Sequence, residues 1–154
     1  MRLWRICKAK YVTTALSGQG GLYTPGRWHQ RGTAVVYCAR SLALATLESF
    51  VHFDPMDAPG SLVAIPVDVP DDVRVERWKA KDLPSGWRGH PHLDATRDMG
   101  TAWLKGLTAA VLRVPSAVVS IESNFLLNPS HPDMARIRAG ASRRFAFDPR
   151  MFKP

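Results

Sequence analysis

The sequence has no long apolar run, only two cysteines, and no acidic residue before position 48. Each shortage removes a class of protein. The best apolar stretch, Leu107 to Ile121, is broken by Arg113 and Pro115, short of the ~20 apolar residues that span a bilayer as a helix. The start, Met1-Arg2-Leu3-Trp4-Arg5, lacks the apolar core of a secretory signal. Cys7 and Cys38 sit in separate strand-like segments and read as reduced thiols of a cytoplasmic protein rather than as a disulfide framework. There is no internal repeat, no low-complexity tract, no Walker loop, no GxGxxG and no nucleophile elbow.

What is present is a chain of 154 residues, 45% hydrophobic and 22% charged, a length and composition that suit one globular domain over residues 1–154. Its net charge of +8 is unevenly placed. Residues 1–47 carry seven basic side chains and no acid, residues 48–133 are net −4, and residues 134–154 are net +5. Positive ends flanking an acidic middle point to an anionic partner without naming it.

The pattern predicts short strands at Leu3–Cys7, Thr33–Ala39, Leu62–Val69, Val73–Trp78, Ala109–Val114, Ala117–Ile121 and Arg144–Phe147. Pro66 marks its strand as an edge or a bulge. A helix is expected from Leu42 to about Phe53, capped by Ser41 and ended by Asp54-Pro55. A second runs from an Asp94 cap to Lys105 and closes at Gly106. Short strands interspersed with two helices predict a single compact domain of the α+β class.

Two features carry chemistry. The first is a glycine-rich loop, Gly26-Arg27-Trp28-His29 then Arg31-Gly32, leading into the 33–39 strand. Glycine lets backbone approach a ligand, Arg27 and Arg31 suit phosphate oxygens, and Trp28 and Tyr37 offer flat faces. The same composition also fits a solvated connection. The second is Glu48, with Leu44 and His52 as its helical neighbours and Leu44 and Leu47 suggesting a partly apolar face. A carboxylate there serves as a structural ion pair or as the group that stabilises an oxocarbenium-like sugar cation. His90-Pro91-His92 with Asp94 loosely imitates a metal-ligand cluster, but its turn-rich setting reads as an exposed loop, and no metal is expected. Arginines 136, 138, 143, 144 and 150 read as a solvated basic face or one that meets an acidic partner.

Taken in order, Leu3-Trp4-Arg5-Ile6, Gly26-Arg27-Trp28-His29, Gly32, Val36-Tyr37, Ser41, Leu47-Glu48, Arg113-Val114-Pro115-Ser116, Asn124-Phe125-Leu126-Leu127-Asn128-Pro129 and His131-Pro132 resemble the RES domain over residues 3 to about 133. The arginine, glutamate and serine that name the family match Arg27, Glu48 and Ser116. The resemblance implies a fold similar to the ADP-ribosyltransferase toxins and a bacterial toxin that consumes NAD, which is its substrate. It further implies a partner antitoxin of Xre-like type that blocks the site and carries any contact with nucleic acid. By the same resemblance Glu48 is the catalytic carboxylate, Arg27 holds the dinucleotide and Ser116 hydrogen-bonds in the pocket. Arg5, Trp28, Tyr37, Asn124 and His29 contact the ligand, and Arg31 joins them from the loop reading. The acceptor is open: water, inorganic phosphate, or a protein side chain as in ADP-ribosyl transfer. Two readings from other classes compete, a basic RNA-binding protein or ribonuclease, and a non-catalytic module that binds only the antitoxin.

Overall fold

In the computed structural model, residues 1–52 and 61–152 are described. The elements in chain order are β1 (Arg2–Lys8), α1 (Gly20–Tyr23), β2 (Val36–Ala39), α2 (Leu42–Phe50), β3 (Leu62–Asp68), β4 (Val75–Arg77), α3 (Asp94–Gly106), β5 (Val111–Pro115), β6 (Ser123–Leu127), β7 (Arg138–Ala139) and β8 (Arg143–Phe145), with short 3₁₀ turns between. The strands form one mixed sheet in the order β4-β5-β6-β2-β1-β3-β7, with β8 also on β3. β4 and β5 are parallel, and the other pairings are antiparallel. The fold class is α+β.

Side-chain alternation divides the two faces of the sheet. In β2 and β6, Val36, Cys38, Phe125 and Leu127 enter one core with Leu3, Ile65 and Val67. Their neighbours Tyr37 and Leu126 turn to the other side, where Trp28, Trp103, Leu104, Leu112 and Val114 pack. The register Tyr37↔Leu126 and Ala39↔Asn124 puts Tyr37 and Asn124 on the same face. Helix α3 lies so close that a Cβ on Gly100 would fall 1.9 Å from the Trp28 carbonyl oxygen.

Several local expectations change. The strand predicted at 33–39 is ordered as strand only over Val36–Ala39. Residues 117–121 form a turn rather than a strand, because Ser116 Oγ accepts hydrogen bonds from the N–H groups of Val118 (3.1 Å) and Val119 (2.8 Å) and curls the chain. The strand lies later, at β6. Asp94 is the first residue of α3 rather than its cap, which is Leu93, and Leu107 rather than a glycine takes the left-handed position after the helix, at φ 50°. Ser41 does cap α2, accepting from the N–H of Leu44 at 3.1 Å. Helix α2 closes at Phe50, and the predicted stop at Phe53 and Asp54-Pro55 lies outside the described residues. Pro66 is not on the outermost strand, but the irregularity it marks is there: β8 pairs with Leu62, Val63 and Ala64 and β7 with Val67 and Asp68, and between them the register slips by one, so that residues 140–142 face only Ile65 and Pro66.

Candidate active site

Helix α2 buries Leu44 and Ala45 against β1 and the 116–122 turn. Glu48 follows these residues at helical spacing on the inward side, whereas Leu47, expected to be apolar lining, is turned outward and is 39% exposed. Two side chains hold Glu48. Its Oε1 accepts from Ser116 Oγ at 2.6 Å and from Asn124 Nδ2 at 2.6 Å. Ser116 is fully buried. Its oxygen is already occupied by the N–H groups of Val118 and Val119, so its one proton is directed to Glu48. Oε2 forms no hydrogen bond among the described residues.

Glu48 faces a cavity of about 800 Å³ lined also by Arg5, Arg27, Tyr37, Asn124 and Arg88. Arg27 is tied through one terminal nitrogen to the carbonyls of Trp87 and Gly89, the latter at 3.1 Å, which leaves Nε and the second terminal nitrogen without partners among the described residues. Burial lowers its pKa, and the Glu48 charge opposes that shift. Arg5 donates to the Tyr37 carbonyl at 3.0 Å, while its Nε is buried with no partner. Arg88 donates to the Ala117 carbonyl at 3.1 Å. None of the three has a carboxylate within salt-bridge reach among the described residues, although elsewhere Arg2, Arg97, Arg136 and Arg150 do.

The wall beneath is a chain of hydrogen bonds. His29 Nε2 lies 3.0 Å from the Thr24 carbonyl, which can only accept, so Nε2 carries the proton and Nδ1 accepts from the Tyr37 hydroxyl at 2.8 Å. The Trp28 N–H donates to the same hydroxyl at 3.3 Å. Burial holds His29 below its ordinary pKa, an effect that the Thr24 hydrogen bond opposes and nearby Arg97 reinforces. Burial likewise drives the Tyr37 phenol upward. The Cys38 thiol, also on the cavity wall, is pushed up to about 12 by burial and stays protonated.

The tertiary structure brings together Arg5, Arg27, Trp28, Tyr37, Glu48 and Asn124 on the cavity, with Ser116 directly behind Glu48. Trp28 differs from expectation in one respect. Its ring is 3% exposed and packs on Trp78 and Trp87 at 5.9 and 5.8 Å between centroids, so it supports the wall and offers no free stacking face. Arg31 is exposed and does not line the cavity. Gln30 is anchored to Thr101 at 2.9 Å and the chain turns at Gly32 with φ +88°, leaving Arg31 on the outside of the bend. Sequence reasoning missed Arg88; the loop of His90 and His92 is exposed as expected, and it also rims the cavity, which Arg88, His90 and His92 line with His52. The Arg27 bonds to residues 87 and 89 bring that loop in, and no local sequence signal announces them. Among the described residues no group of His, Cys, Asp or Glu is arranged to hold a metal ion, and no helix is long and apolar enough to cross a membrane.

This arrangement has relatives. The RES domain family model matches residues 2–148. A Sphingobium protein named Prs ADP-ribosylating toxin is 38% identical over 154 residues, covering 97% of this chain and 96% of that one. A Pseudomonas putida protein named Toxin Res is 42% identical over 134 residues, covering 86% and 87% of the two chains, and a Yersinia enterocolitica Toxin Res is 34% identical over 152 residues, covering 98% and 99%. The fold is similar to a chain in the crystal structure of the M. tuberculosis MbcT–MbcA toxin–antitoxin complex, with a TM-score of 0.74 at 17% identity over 94% of this chain and 83% of that one. The chain belongs to the RES domain family.

Proposed function

We propose that this protein is the toxin of a toxin–antitoxin pair and cleaves the nicotinamide N-glycosidic bond of NAD. The observation that carries the reading is the pairing of one positioned carboxylate, Glu48, with three arginines that have no acidic partner among the described residues, all on a single cavity. A dinucleotide supplies what this arrangement lacks: two phosphates for the guanidinium groups and a developing ribosyl cation for Glu48.

The reaction needs no second carboxylate. When the glycosidic bond breaks, its electron pair passes to the positively charged pyridinium nitrogen and nicotinamide leaves neutral, so no protein acid has to protonate the leaving group. Ordinary glycosidases need that second group. The ribose C1′ becomes electron-poor, and Glu48, fixed through Oε1 by Ser116 and Asn124, offers its other oxygen to the cation. Arg27 carries two free nitrogens toward the diphosphate, and Arg5 adds its positive charge to the same cavity.

Transfer of the ribosyl group to water or phosphate depletes NAD. Transfer to a protein side chain is the second reading, favoured by the ADP-ribosylating relative. An antitoxin of Xre-like type that covers the cavity is the matching partner, and the single domain over residues 1–154 would act in the cytoplasm. The test is to incubate purified protein, freed of antitoxin, with NAD in the presence and absence of phosphate and to follow nicotinamide, ADP-ribose and its 1″-phosphate. No loss of NAD overturns the reading. Label that passes from NAD into protein, without free ADP-ribose, selects the second.

A further inference from the structure

The cavity wall carries three imidazoles. His52 follows Glu48 by four residues, in the turn that ends α2. His90 and His92 come from the loop that Arg27 holds through Trp87 and Gly89. The rings form an arc, with His92 in the middle at 5.4 Å from His90 and 6.4 Å from His52 between centroids. All three line the cavity, with Arg88 beside them. The Nδ1 of His92 is buried and has no hydrogen-bond partner. Among the described residues the arc is not arranged to hold a metal ion.

We propose that His52, His90 and His92, beside Arg27 and Arg88, form a proton-dependent diphosphate subsite that grips the phosphates of a dinucleotide more tightly as the imidazoles take up protons. Spacing supports the assignment. His52 comes two residues after the end of α2, with its N–H bonded to the Ser49 carbonyl at 3.3 Å, so it follows Glu48 by about one turn of chain and lines the same cavity, where a ligand with its anomeric carbon at Glu48 brings its diphosphate alongside. Charge supports it too. The charged groups that act on His92 are Arg27, from the glycine-rich loop; His90, from its own loop; and His52, from the turn after α2; Arg88, Glu48 and Arg5 line the same cavity. Burial, and then the positive charge of Arg27, hold His92 below its ordinary pKa, with smaller contributions from His90 and His52 and against a hydrogen bond that the ring donates to the Gly89 backbone carbonyl. An anion placed among these groups reverses the repulsion and draws protons on. By linkage, protons must then tighten the anion.

The proposal rests on the dinucleotide reading, and its test separates the two. The probe is ADP-ribose, whose diphosphate is esterified at both ends and so keeps its charge across the histidine range; adenosine is the control without phosphate. Binding to the full-length chain is measured by calorimetry from about pH 8 to about pH 6, in buffers of different ionisation enthalpy. The expected result is a several-fold gain in ADP-ribose affinity, part of the roughly tenfold limit set by one group whose pKa moves by one unit, with net proton uptake and no trend for adenosine. In His52→Gln/His92→Gln the gain disappears while circular dichroism is unchanged. His90→Gln, an exposed change, reduces the gain if the double variant does not fold. Flat ADP-ribose affinity and no proton uptake in the wild type, or an unchanged gain in the variants, overturns the subsite even where NAD is consumed. A wild-type protein that shows the gain but leaves NAD intact upholds the subsite and overturns the cleavage reading.

Discussion

Ser116 and Glu48, 68 residues apart in the chain, are joined by a hydrogen bond of 2.6 Å in which the serine has no freedom to donate elsewhere. The N–H groups of Val118 and Val119 occupy its oxygen, so one hydroxyl shapes the 116–122 turn and aims the carboxylate. Ser116→Ala therefore breaks two things at once. The expected loss is about 2 kcal/mol of stability, from backbone donors left without an acceptor, together with a fall in kcat larger than any change in KM. Thermal unfolding and steady-state nicotinamide release measure the two effects separately.

Glu48→Gln keeps the shape of the side chain and removes its charge. Nicotinamide release is expected to fall by at least about 100-fold, on the scale of removing one preorganised electrostatic group, with Tm close to wild type because Glu48 is only partly buried. Turnover within a few-fold of wild type would remove Glu48 from the mechanism.

Arg27→Lys tests the fork geometry. The guanidinium spans the carbonyls of Trp87 and Gly89 with one nitrogen and keeps two for a ligand, which a single ammonium cannot do. The expected outcome is about a tenfold or greater rise in KM for NAD, read from initial rates over a range of substrate concentrations.

The His29–Tyr37 pair predicts a pH dependence of stability. His29 is neutral in the fold, with its pKa lowered from 6.5 chiefly by burial, so the unfolded chain takes up a proton first as pH falls. The stabilisation is complete above about pH 6.5 and is lost as pH drops from there toward the folded value. Urea unfolding midpoints across this window check the sign. In Tyr37→Phe, His29 loses its donor and the Trp28 N–H its acceptor, and about 2 kcal/mol of stability is expected to go with them.

Gly100→Ala is expected to be among the most damaging small changes in the chain, because the added methyl would overlap the Trp28 backbone at 1.9 Å and push α3 from the sheet. A loss of about 3 kcal/mol and weakened NAD turnover, through displacement of the 26–29 loop, should appear together in unfolding and activity assays.

The sequence alone carried the local chemistry: the Ser41 cap, strands at β1 and β2, and helical spacing that puts Glu48 with Leu44 rather than with solvent. It also carried the order of motifs that links Arg27, Glu48 and Ser116, since residue identities and their sequence order are properties of the chain itself. It misplaced the strand at 117–121, where apolar β-branched residues favour extension, because the competing hydrogen bonds from Ser116 are a three-dimensional fact. It placed Arg31 at the ligand because loop composition carries no direction, and a bend at Gly32 decides direction. It read the loop of His90 and His92 as exposed, which it is, but did not show that the loop rims the cavity, because what holds it there is a contact with Arg27, some 60 residues away. Sequence determines which groups exist and which face of an element they share. Whether three arginines, three histidines and one carboxylate meet on a single cavity depends on contacts between distant segments, and only the tertiary structure decides that.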